Sequence, residues 1–183
     1  MDIINFSKIA APKFEFGCGF YFCVIGALKY IIGKEQNIHI CIDTNGSIWN
    51  EEVEELLKWT DLVLLDIKEF NNVRHRQLTE RSNEQTIRTA EWLEKNGKPF
   101  WLRYVLVPGY SSFEEDIRAL GEHFKNYHMI QRVEILPYHT LGVHKYEAMG
   151  KEYKLNGIKE NTLEQLETAK TLFGEYFNTV YLN

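Results

Sequence analysis

The chain has 183 residues, is 44% hydrophobic and carries a formal net charge of -5. That length suits one domain with at most a small appendage and can bury a real core, while the mild acidity speaks against non-specific nucleic-acid binding. Three cysteines, Cys18, Cys23 and Cys41, form an odd set that argues against a secreted disulfide framework and fits a reducing cytoplasm.

Residues 1–17 show no clear period; 18–23 reads as a short strand and 24–35 as a helix. Residues 1–35 thus form a poorly patterned segment ahead of a patterned 36–183 part. Phe20 to Gly33 is apolar except for Lys29. It falls short of the ~20 residues a membrane helix needs and lacks the charged start and cleavage site of a signal peptide. A soluble chain with no membrane or nucleic-acid partner is expected.

Ile38 to Ile42 reads as a strand ending in the turn residues Asp43-Thr44-Asn45-Gly46. Asn50 can cap a helix with Glu51 and Glu52 in its first turn and Val53, Leu56 and Leu57 facing inward. Leu62 to Ile67 is a continuous apolar strand broken only by Asp66, as expected of a buried parallel strand. Residues 69–81 read as a polar loop with one helical turn at most. Ser82 with Gln85, Ser112 with Glu115 and Thr162 with Gln165 have capping-box spacing, each ahead of an amphipathic run. Gly97 is placed to end the first of those helices. Phe100 to Val107, Arg132 to Leu136 and Thr179 to Leu182 read as strands. Trp49, Trp59, Trp92 and Trp101 read as core or helix–sheet packing.

Strands alternating with capped helices predict an α/β fold with a parallel sheet and right-handed crossovers. The strands are too few for a closed barrel of eight, so the sheet is open or part of a barrel.

The carboxyl ends of parallel strands lie on one edge, where ligands bind in open α/β sheets. That edge collects Asp43-Thr44-Asn45, Asp66 and Lys68, Arg103 and His139. Asp66 and Lys68 share a face because strand residues two apart do. Each residue alone has a plainer role: a turn cap for Asp43, a neutralising partner of Asp66 for Arg103, a turn histidine for His139. Together, lysine and arginine suit a carboxylate and the aspartates suit an amine or cation, so a small zwitterionic or anionic ligand is expected. The cysteines have no zinc or iron–sulfur spacing, and Gly17-Cys18-Gly19 is no phosphate loop.

Asp43-Thr44-Asn45-Gly46, Leu65 to Lys68, Arg103 to Gly109, Leu136 to His139, Gly142 to Lys145 and Glu152 to Leu155 together resemble the pyruvate formate-lyase activating enzymes, a radical S-adenosylmethionine family. The resemblance covers about residues 35–183. It implies an incomplete (β/α)6 partial barrel with outer helices and its first strand or strands missing. It also implies S-adenosylmethionine and a [4Fe-4S] cluster as cofactors and pyruvate formate-lyase as the partner on which a glycyl radical is made. Matched residue by residue, it implies Asp66, Lys68, Arg103 and His139 as cofactor-binding residues. It implies Asp43, Thr44, Asp66 and the Leu64 carbonyl as a monovalent-cation site.

Two parts of the family pattern are not matched. The Cys-x3-Cys-x2-Cys loop has no counterpart, and Cys23-Val24-Ile25-Gly26 stands where Ser-Gly-Gly-Glu meets the cofactor amine. A truncated chain without cluster ligands, inactive by itself, is therefore expected. The alternative is a non-catalytic remnant or binding module that contacts the lyase or a small ligand.

Overall fold

The computed structural model describes residues 38–141, 143–148, 150 and 152–183. The strand and helix expected over residues 18–35 lie outside the described residues.

Five strands, β1 (Cys41–Thr44), β2 (Leu62–Ile67), β3 (Phe100–Leu106), β4 (Ile130–Pro137) and β5 (Val180–Leu182), form one sheet in sequential order. Every pair is parallel. The expected α/β architecture holds, and the order matches an open run of a partial barrel. The first of these strands begins three residues later than its apolar run, because the Ile40 N–H is drawn to the Asp61 carboxylate at 2.8 Å.

The helices are α1 (Glu51–Lys58), α2 (Asn72–Thr79), α3 (Glu84–Lys95), α4 (Glu114–Phe124), α5 (Val143–Ala148) and α6 (Leu163–Gly174). Asn50 caps α1 by accepting the Val53 N–H at 2.8 Å. The capping box of α6 forms as expected, with Thr162 and Gln165 bonding each other's backbone N–H. The other two boxes do not form. Asn83 precedes α3 and spends its side-chain amide on the carbonyls of Glu69 and Phe70 at 3.1 and 2.5 Å. Ser112 turns back to the Gly109 N–H at 3.0 Å, and Glu115 pairs with Arg74. Residues 72–79, expected as loop, make two helical turns with little amphipathic pattern, nucleated by Asn71 accepting from Val73 and Arg74 and closed by Glu80 at φ 63°.

The sheet has two unlike faces. Phe100, Leu102, Tyr104 and Leu106 of β3 are at most 1% exposed. They join Val63, Leu65 and Ile67 of β2 and Val133 and Ile135 of β4 in one core with Leu57, Ala90, Leu93, Ile117, Leu120, Phe124, Leu172 and Phe173 of the helices. Each fully buried Val, Leu, Ile or Phe among them contributes roughly 1.5–3 kcal/mol. The alternate residues Trp101, Arg103 and Val105 lie on the opposite, partly open face. Trp101 is therefore not core, and Trp59 is 41% exposed, against expectation; Trp49 and Trp92 do pack together, 5.7 Å between centroids.

Candidate functional site

The open face is read in rows, because residues paired across parallel strands project to the same side. Asp66, Arg103, Glu134 and Tyr181 form one row; Asp43, Leu64, Trp101 and Arg132 form the row below. Arg103 stands at the centre. Its Nη1 donates to Asp43 Oδ2 at 2.6 Å, and its Nε lies 3.3 Å from Asp66 Oδ1 and 3.8 Å from Glu134 Oε2. One guanidinium therefore gathers carboxylates from three strands. Burial works against its charge, but Asp43, Asp66 and Glu134 outweigh that and hold it above the ordinary arginine value.

Lys68 leaves the end of β2 and donates to Asp66 Oδ2 at 2.6 Å. The two expected cations and two expected carboxylates thus meet in one cluster. Thr44 closes the turn after β1, its hydroxyl accepting the Gly46 N–H at 3.1 Å. Leu64 is half-buried in the middle of β2. His139 follows β4 at the same edge and is exposed; it takes no part in the ion-pair network of the described residues. Asp66 Oδ1 and Arg103 Nε are buried atoms that make no hydrogen bond.

Beside the cluster, a cleft of about 270 Å³ is lined by Asp66, Lys68, Ser47, His75, Arg81 and Thr86, among others. His75 is nearly buried, its Nδ1 2.7 Å from the Arg81 carbonyl, and burial pushes its pKa down.

Sequence reasoning missed Glu134, Arg132 and Tyr181. Arg132 pairs with Glu134 and stacks over Trp101, 3.2 Å from the ring centroid, with Tyr181 on its other side at 5.0 Å. The available signal was Arg132 and Glu134 two apart within a strand, which puts two charges on one face. It also missed Glu69, buried and raised to about 7 by burial.

The described residues of this chain do not fit an iron–sulfur cluster. Its three cysteines have no Cys-x3-Cys-x2-Cys spacing, and no group of three or more metal-binding side chains gathers among the described residues. Burial, and then Asp43, push the Cys41 thiol up, away from the thiolate a cluster ligand must be. No described helix is long and apolar enough to cross a membrane.

The chain is similar to known proteins in both sequence and fold. It is 40% identical over 149 residues to the pyruvate formate-lyase 1-activating enzyme of Escherichia coli strain K12, covering 80% of this chain and 61% of that protein. It is 42% identical over 149 residues to the pyruvate formate-lyase-activating enzyme of Streptococcus mutans serotype c, covering 78% of this chain and 57% of that protein. The chain thus spans about three fifths of the length of these relatives. In fold it is similar to the crystal structure of a domain of pyruvate-formate lyase-activating enzyme from Bacteroides vulgatus, with a TM-score of 0.70 at 18% identity over 91% of this chain and 96% of that one. It is also similar to Streptococcus suis SuiB, with a TM-score of 0.63 at 16% identity over 87% of this chain and 36% of that one. The model of the radical SAM superfamily matches residues 22–121, more than half of the chain. The chain belongs to the radical SAM superfamily.

Proposed function

We propose that this chain is the S-adenosylmethionine-binding part of an activating enzyme for pyruvate formate-lyase, and that it does not generate the glycyl radical by itself. The observation that carries the cofactor reading is the edge cluster of Lys68, Arg103, Asp43 and Asp66. S-adenosylmethionine presents a carboxylate, an ammonium and a sulfonium. Lys68 and Arg103 suit the carboxylate, while Asp43 and Asp66 suit a cation beside it.

Asp43, Asp66, the Thr44 hydroxyl and the Leu64 carbonyl are all oxygen donors, the chemistry a hard monovalent cation takes. Arg103 already bridges the two aspartates and Lys68 takes Asp66 Oδ2, so a cation here would displace one of these partners. His139, exposed at the rim, is placed to contact the cofactor. Bound beside a cluster, this cofactor supplies hydrogen-atom abstraction chemistry. Residues of this chain hold it, neutralise its carboxylate and orient it along the sheet edge. The names of the relatives support the partner lyase, and the odd cysteine set supports a reducing cytoplasm.

The cysteine set favours the second half of the proposal and equally a non-catalytic module that contacts the lyase or a small ligand through the same edge. Anaerobic reconstitution with iron and sulfide, with iron counting, and S-adenosylmethionine titration by calorimetry test both halves. The expected result is saturable cofactor binding without a cluster. About four irons per chain with a cluster spectrum would overturn the inactivity; absence of cofactor binding would overturn the cofactor reading.

A further inference from the structure

We propose that Glu69 is held protonated inside the fold and positions Lys68 for its ligand, an inference that rests on the cofactor reading above. Glu69 follows Lys68 directly and is 0% exposed. Its Oε1 accepts the Asn71 N–H at 2.9 Å. Its Oε2 lies 3.3 Å from the hydroxyl of Tyr104, which also lies 2.9 Å from the Ser111 carbonyl. A phenol has one hydrogen. With Glu69 ionised, that hydrogen faces two acceptors, and Tyr104, also 0% exposed, has no water to make up the difference. With Glu69 protonated on Oε2, the count closes. Glu69 donates to Tyr104, and Tyr104 donates to Ser111.

The charged groups around Glu69 point the same way. From α4, Asp116 is buried beside it and adds a negative charge. From α2, Arg74 reaches this region but spends its guanidinium on Asp116 and Glu115. From β3, Tyr104 is the titratable neighbour, and burial raises it further. The segment before α3 contributes only the neutral Asn83. Burial, partly offset by the Asn71 N–H and reinforced by Asp116, raises Glu69 to about 7.

The consequence falls on Lys68. The loop that carries it is fixed by Glu69 on one side and, through the carbonyls of Glu69 and Phe70, by Asn83 on the other. Loss of the Glu69 proton leaves a carboxylate facing Asp116 with one hydrogen too few, and the loop loosens. Lys68 then loses its fixed base while keeping its own charge.

The experiment has two readouts on the intact chain. The first is a carboxyl NMR titration of Glu69, assigned with Glu69→Gln. The second is S-adenosylmethionine affinity by calorimetry at about pH 6 and about pH 8.5 for both proteins, bracketing the titration. We expect a midpoint near 7. We expect wild-type affinity to fall about tenfold across that range relative to Glu69→Gln, the effect of one unit of coupling. His139 is common to both proteins and cancels in the comparison. A midpoint near the ordinary 4.5 overturns the protonation; coincident affinity profiles overturn the positioning role. Absence of wild-type binding at both pH values overturns the cofactor reading and the role of Lys68 with it, while the midpoint still decides the protonation. Should Glu69→Gln not fold, Tyr104→Phe replaces it. That variant removes the hydroxyl facing Oε2, and midpoint and affinity loss should move together; a midpoint that moves without the affinity loss overturns the positioning role.

Discussion

Arg103 and Asp43, sixty residues apart, meet at 2.6 Å although a whole strand separates them. The guanidinium reaches across β2 and touches Asp66 on the way. Arginine does this where lysine could not, because its planar fork presents several donors in fixed directions.

Replacing Arg103 by alanine should therefore do more than remove one ion pair. Asp66 and Glu134, side chains 15% and 6% exposed, would lose the cation they share and keep only Lys68 and Arg132. We expect a loss of about 1.5–3 kcal/mol at neutral pH, the usual scale for hydrogen bonds to charged groups. Urea unfolding of wild type and variant checks the size.

Glu69 predicts a separate pH effect on stability, independent of any ligand. Its folded value is raised from 4.5 to about 7. The folded state therefore binds the proton more tightly than the unfolded state. Its contribution is full below about 4.5, declines as pH rises, and is lost above about 7. The total is ~3 kcal/mol. Denaturant titrations of wild type and Glu69→Gln across this range should show the slope in the former alone.

Gly121 of α4 lies against the ring of Tyr176, where an added methyl group would overlap the ring carbons. Gly121→Ala should destabilise by about 1–3 kcal/mol through overpacking. A thermal melt of the single variant, and of Gly121→Ala with Tyr176→Ala, tests the cause: the second change should recover part of the loss.

The three capping-box sequences make a controlled comparison. Only Thr162 with Gln165 forms one. Thr162→Ala should cost about 1 kcal/mol. Gln85→Ala, in the box that does not form, should stay within about 0.5 kcal/mol, as surface changes do. Urea midpoints of the two variants decide it.

The strands were legible because their apolar runs are short and bounded by Asp, Gly and Pro. The edge residues were legible because charges in such runs stand out: Asp66 and Arg103 sit in otherwise apolar strands. What stayed hidden has physical reasons. Residues 72–79 bury little more than His75, so no period marked them as a helix. Ser112 and Ser82 had the right spacing for caps, but the local Gly109 N–H took the hydroxyl of one and a tertiary contact took the neighbouring Asn83 of the other. Glu69 looked like loop surface because its burial depends on Tyr104, thirty-five residues away. The Arg132–Trp101 stack was invisible because it joins two strands through side chains rather than through sequence spacing.

The two-faced sheet has a consequence for assembly of the fold itself. Side chains alternate along each strand, so a slip of one residue would exchange the faces. In β3 and β4 that exchange would drive Arg103, Arg132 and Glu134 beneath the helices and turn Phe100, Leu102 and Ile135 outward. A charge forced into that space without its partners is far costlier than a missing apolar contact. The same rows that gather charge on the open face therefore act as a proofreading mark on strand alignment, penalising misregistered chains.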